Sequence, residues 1–139
     1  MSEKFKFYCP VKVRYVETDA QGHVFFGHYY TYFDVAMMEY MQAIGYSYQD
    51  LLDEGMDLLY VESLCRHQAP AYYDEVLNVH TRVGNIGSSS LTFEFSVYQN
   101  GSDQLVATGH IVAVNVDKDS RQPVRVPEAV RRAVKEHEN

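Results

Sequence analysis

Tryptophan is absent, cysteine occurs twice, and 12 lysines and arginines face 19 aspartates and glutamates in a chain of 139 residues. Each shortage excludes something. A net charge of −7 argues against a binder of the nucleic-acid backbone, whose footprint is a basic patch. It leaves room for a small anionic ligand held by a few local cations. Cys9 and Cys65 lie far apart and form no Cys-x-x-Cys unit. No secretory leader is read, so both thiols are expected reduced and the protein cytoplasmic. No apolar run reaches the ~18 residues that a membrane crossing takes, and no partnership with a membrane is expected. Repeats, low-complexity stretches and linkers are also missing. With 46% hydrophobic residues, the expectation is one packed domain over residues 1–139.

What the chain does have is 12 tyrosines and seven phenylalanines. They serve either as a core with hydroxyls at its edges or as the lining for an aromatic or acyl ligand. From Phe5 to Val16 the residues alternate in part, Val11, Val13 and Tyr15 against Lys12 and Arg14, as in a half-buried strand. A loop from Glu17 to His28 follows. Tyr29 to Ile44 repeats apolar residues at helical spacing through Phe33, Ala36, Met37 and Tyr40, so a long helix is expected against a sheet. Gly45 suits its C-terminal stop. Ser47 caps a short helix over Tyr48–Glu54 that Gly55 ends. Strands are then expected over Asp57–Gln68, Val76–Ile86, Leu91–Tyr98 and Leu105–Val116. Pro127 would open a last helix running through His137. Consecutive strands with short links pair antiparallel. The expected fold is α+β, about five antiparallel strands curled around one central helix.

One segment assembles chemistry: Asp19-Ala20-Gln21-Gly22-His23-Val24-Phe25-Phe26-Gly27-His28-Tyr29. A carboxylate just before a helix faces unpaired N–H groups and the positive end of the helix dipole. A nucleophile or base beside an oxyanion corner is what acyl transfer needs. Asp19 is equally a natural turn former. His23 and His28 have the spacing of no helical zinc pair, and no metal site and no cofactor are read. His67, His80 and His110 sit on strands without a pattern. Asp34 and Glu39 lie on the central helix, its polar face in the plainer reading, with Asp34 the reserve carboxylate.

The chain resembles the hotdog-fold acyl-CoA thioesterases, specifically the 4-hydroxybenzoyl-CoA thioesterase family. The residues that carry the resemblance are Arg14-Tyr15, Thr18 to Val24, Tyr29, Phe33 to Ala36, Pro70 to Val76, Ile86 to Phe93 and Val106 to Gly109. The resemblance implies a homodimer or homotetramer with sheets joined edge to edge and active sites between subunits. It implies Asp19 as the catalytic carboxylate and the Phe26 backbone N–H as the group that polarises the thioester carbonyl. Where many relatives carry Asn-Asn, this chain has Phe25-Phe26, which leaves Asp19 as the side chain for the chemistry. His23 is expected to orient Asp19. For the substrate, an acyl-CoA, Phe25 and Tyr29 are expected at the acyl group, and Gly87, Ser88, Ser89 and Ser90 at the CoA phosphates ahead of any single arginine. A hotdog hydratase or dehydratase and a non-catalytic acyl-binding scaffold are the alternatives. The first needs a carboxylate–histidine pair on the helix, which is not evident.

Overall fold

The structure, a computed structural model, describes residues 4–139; the first three residues of the expected domain lie outside it. Among the described residues, five strands form one antiparallel sheet in the order β1-β3-β4-β5-β2. They are β1 (Tyr8–Lys12), β2 (Met56–His67), β3 (Val76–Ile86), β4 (Ser90–Gln99) and β5 (Leu105–Asp117). Short hairpins make β3, β4 and β5 neighbours. β5 then pairs along its length with β2, from Met56↔Asp117 to His67↔Ala107. That leaves β2 and the short β1 at the two edges.

Alternation decides which face is buried. Leu77, Val79 and Val83 of β3, Leu91, Phe93, Phe95 and Val97 of β4, and Ile111 and Ala113 of β5 are all buried. On them lies α1 (His28–Ala43), which buries Tyr32, Phe33, Ala36, Met37 and Tyr40. Each such large side chain removed from water is worth roughly 1.5–3 kcal/mol. Phe33 lies flat on Phe95, ring centres 4.2 Å apart and planes 6° off parallel. Gly109 permits this approach: a Cβ there would run into the Leu64 carbonyl and come within 2.7 Å of the Phe33 ring. The short α2 (Tyr48–Asp53) starts on the expected cap, Ser47 Oγ accepting from the Asp50 N–H at 3.0 Å. At the other end α3 (Glu128–Glu138) begins one residue after Pro127. Its Val130 and Val134 close over the C-terminal half of α1, leaving a void of about 10 Å³ beside Tyr40 and Met41. No helix among the described residues is long and apolar enough to cross a membrane.

The first strand departs from expectation. Residues Phe5–Val16 do not extend throughout; β1 stops at Lys12, and Tyr15–Glu17 form a 3-10 turn. Tyr15 and Val16, expected on strand faces, are 77% and 73% exposed. The cause is local. The Glu17 carboxylate accepts from the Arg14 N–H at 2.9 Å, and such a side-chain bond to nearby backbone competes with the sheet ladder.

Candidate active site

Beyond the 3-10 turn the chain doubles back. Thr18 faces Val24, Asp19 N–H donates to the His23 carbonyl at 3.0 Å, and Gly22 N–H donates to the Asp19 carbonyl at 2.9 Å. Gly22 sits at φ +86°, a left-handed position that favours glycine. Asp19 Oδ1 accepts from the Gln21 N–H at 2.9 Å, the turn-forming role of an aspartate. Its Oδ2 lies 3.9 Å from His23 Nδ1, outside hydrogen-bond distance. The imidazole is held instead by its neighbour's backbone, Nδ1 standing 3.2 Å from the Val24 carbonyl oxygen. That contact requires the proton on Nδ1.

The loop is fastened on both sides. Val24 N–H donates to the Ala71 carbonyl and Phe25 N–H to the Glu17 carbonyl, each at 2.9 Å. α1 starts immediately after, and the carbonyls of Phe25 and Phe26 accept from His28 and Tyr29. Among the described residues nothing accepts from the Phe26 N–H. First-turn N–H groups have no partner inside their own helix, and they carry its positive pole.

A cleft of about 490 Å³ opens here, lined by Asp19, His23, Phe26 and Tyr29 and by His67, the last residue of β2, with Gln68 to Pro70. Tyr29 is only 3% exposed, and its hydroxyl has no partner among the described residues. Burial pushes its pKa up to about 12, so it stays a hydrogen-bond donor. Its ring centre lies 5.3 Å from that of His67. A second hollow, about 450 Å³, lies on the outer face of the sheet around Glu62, Glu94 and His110. Two of its carboxylates are met, Glu62 by His110 at 2.7 Å and Glu94 by Arg82 at 2.8 Å, while Arg66 has no partner among the described residues. The cleft at α1 places a carboxylate beside a backbone N–H and a hydroxyl that lack partners among the described residues.

Asp19, His23, Phe26 and Tyr29 are therefore brought together. Phe25 lies beside the cleft, its ring against that of Phe26 at 4.6 Å. Gly87 to Ser90 lie elsewhere in the protomer. Ser90 pairs with Val114 while His67 pairs with Ala107. Seven residues of β5 separate the two ends, roughly 23 Å at ~3.3 Å per residue. The Gly87 and Ser88 carbonyls of this hairpin are held by Arg131 at 2.7 and 2.9 Å. Asp34 is engaged off the cleft, accepting from the Tyr60 hydroxyl at 2.7 Å. The thiols offer no nucleophile; burial raises both, Cys65 to about 11. Among the described residues no cluster of three or more His, Cys, Asp or Glu could hold a metal ion.

Two residues escaped the sequence reading. His67 reads as one more strand histidine, and its signal is its place three residues before Pro70, a residue that favours the end of a strand. Glu17 reads as the first residue of a loop, yet it is 3% exposed. Its signal was Arg14, one 3-10 turn earlier.

Residues 13–134 match the model of the thioesterase-like superfamily. The chain belongs to that superfamily. One relative, acyl-CoA thioesterase YbgC of Haemophilus influenzae, is 30% identical over 128 residues, covering 91% of this chain and 93% of YbgC. The crystal structure of PA5185 from Pseudomonas aeruginosa superposes with a TM-score of 0.86 at 29% identity, over 96% of this chain and 92% of that one. Slr0204, a 1,4-dihydroxy-2-naphthoyl-CoA thioesterase from Synechocystis, gives 0.85 at 21% identity over 93% and 95%, a likeness of fold. The fold is the hotdog fold, the antiparallel sheet wrapped on α1.

Proposed function

We propose that this protein hydrolyses an acyl-CoA thioester to the free acid and coenzyme A, with the Asp19 carboxylate as nucleophile or general base. The observation that carries the reading is the cleft shared by Asp19 and the unpaired Phe26 N–H. The carboxylate attacks the thioester carbon, the carbonyl oxygen gains charge facing the Phe26 N–H, and the C–S bond breaks to release the CoA thiolate. Water then cleaves the resulting anhydride. In the other route Asp19 takes the proton of a water that attacks the same carbon. A thiolate leaves readily, so a single carboxylate and a backbone donor suffice. Tyr29, His67 and the Phe26 ring supply an aromatic wall for the acyl group.

The position of the Gly87–Ser90 hairpin supports a dimer. β2 is an open edge, with Tyr60 and Val61 46% and 63% exposed, and an open edge invites pairing. Two-fold antiparallel pairing of β2 with β2 of a second copy sets opposite sheet ends side by side. One copy's hairpin then lies at the end that carries the other copy's Asp19, where it can hold CoA phosphates.

A panel of acyl-CoAs, aryl and aliphatic, assayed with a thiol-reactive dye tests the reading. Thiol release with at least one member, abolished in Asp19→Asn, is the expected result. No thiol release across the panel, with enoyl absorbance changing instead, would replace hydrolysis by hydration. Light scattering showing a stable folded monomer at micromolar protein would remove the dimer.

A further inference from the structure

Glu17 is a buried carboxylate that lines no part of the cleft. Oε1 accepts from the Arg14 N–H and from the Tyr32 hydroxyl of α1, both at 2.9 Å. Oε2 accepts from Arg14 Nε and a terminal guanidinium nitrogen at 3.0 and 2.8 Å. Its carbonyl takes the Phe25 N–H at 2.9 Å. One residue thus joins the end of the first strand segment, the face of α1 and the entry to α1. Each proposed reacting group stands next to one of these contacts: Asp19 two residues after Glu17, Phe26 one after Phe25.

A buried ion is a weak device for stability, because a well-packed apolar residue commonly does as well. What a carboxylate adds is direction. Its lone pairs fix where each donor must sit, and the two-nitrogen Arg14 contact fixes the plane of the group. Burial would raise the Glu17 carboxyl, but the Arg14 and Tyr32 donors outweigh it and hold it below the usual glutamate range, so the joint stays charged.

We infer that Glu17 is a positioning residue of this site, holding the Asp19 turn and the Phe26 N–H in register on α1. The inference rests on the hydrolase reading above. A misplacement of about 1 Å costs up to ~10²-fold in rate while leaving much of the binding intact. Glu17→Gln keeps the size but puts an NH₂ where Arg14 and Tyr32 need acceptors. Tyr32→Phe removes one donor and keeps the ring in the core.

The experiment compares kcat and KM of wild type, Glu17→Gln, Tyr32→Phe and Asp19→Asn on the best acyl-CoA of the panel. Assays run at a temperature where circular dichroism shows each variant folded. Expected for Glu17→Gln is a kcat loss of about tenfold or more with KM within about threefold, and for Tyr32→Phe a smaller kcat loss in the same direction. A merely structural residue would lower the melting temperature and leave the kcat of the folded enzyme unchanged. Should Glu17→Gln fail to fold, Tyr32→Phe decides alone. Wild-type kcat in the folded variants, with Asp19→Asn inactive, overturns the inference and leaves the hydrolase reading standing. An active Asp19→Asn overturns both, since nothing would remain for Glu17 to position.

Discussion

The two ends of α1 bury a tyrosine each, and the hydroxyls meet different fates. At the C-terminal end Tyr40 is fully buried beneath α3, and its hydroxyl donates to Glu138 at 2.5 Å. Arg82 stands 3.9 Å from the same carboxylate, and the apolar side chains around leave a void of about 10 Å³. At the N-terminal end Tyr29 is 3% exposed, its hydroxyl lacks a partner among the described residues, and about 490 Å³ of space opens beside it. The helix itself helps to set this asymmetry. Its first N–H groups need acceptors and attract negative charge. At one end the Tyr40 hydroxyl is matched by a partly buried carboxylate, although the adjacent His137 Nε2 has no partner among the described residues; at the other, donors without partners open onto a cleft, the place proposed for a ligand.

The largest expected effect comes from removing the charge at the open end. Asp19→Asn should cut kcat by ~10²–10⁴-fold, with stability held within about 0.5 kcal/mol, since an amide oxygen still accepts from Gln21. Steady-state thiol release and thermal melting check both halves, and unchanged kcat would move the search to Asp34. Next comes the backbone donor. Phe26→Pro deletes the N–H and should lose ~10²–10³-fold in kcat, whereas Phe26→Leu keeps it and should stay within about tenfold. Equal rates in the two folded variants would put the oxyanion corner elsewhere.

Smaller effects separate the two tyrosines directly. Tyr40→Phe strips a partly buried carboxylate of a donor and should cost roughly 1–3 kcal/mol in denaturant unfolding, with kcat untouched. Tyr29→Phe breaks no bond within the chain. It should leave stability within about 0.5 kcal/mol and change KM or acyl preference. Reversed results would mean that the hydroxyl fates have been assigned to the wrong ends.

The smallest effect tests a third unpartnered group, away from α1. On the outer face of the sheet both ring nitrogens of His80 lack partners among the described residues, and the ring sits among those of Phe5, Tyr8 and Tyr98. Burial lowers its pKa from 6.5, so the unfolded chain binds the proton more readily than the folded one. The neutral ring's stability is intact above pH 6.5 and is lost as pH falls through that value toward the lower folded one. His80→Leu should flatten the melting temperature between about pH 7 and 5 relative to wild type. An unchanged slope would assign the acid sensitivity to other groups.

Much of this was legible along the chain. Alternation in β3 and β4 and the 3.6-residue repeat of α1 each report a face buried along its whole length, so their positions came within a residue or two. The Asp19–Phe26 segment was legible because a carboxylate, a glycine turn and a helix start are all local features. β1 was overextended because Val13 and Tyr15 alternate as a strand would; nothing in the order of residues says that Glu17 turns its carboxylate back onto Arg14. The place of the Gly87–Ser90 hairpin and the position of His67 were not legible, for a different reason. Which strand ends share one end of a sheet depends on pairing order, and a linear pattern carries no pairing order.

By itself, then, the sequence determined most of the elements, the family and the segment at the head of α1 that holds the proposed reacting pair, because periodicity, turn chemistry and helix polarity act over a few residues. Only the tertiary structure decided that Glu17 is buried between Arg14 and Tyr32, that His67 faces Tyr29, and that the serine hairpin lies at the far end of the sheet. Those outcomes depend on which distant segments close over one another, and desolvation and hydrogen bonding settle them only when the chain has folded.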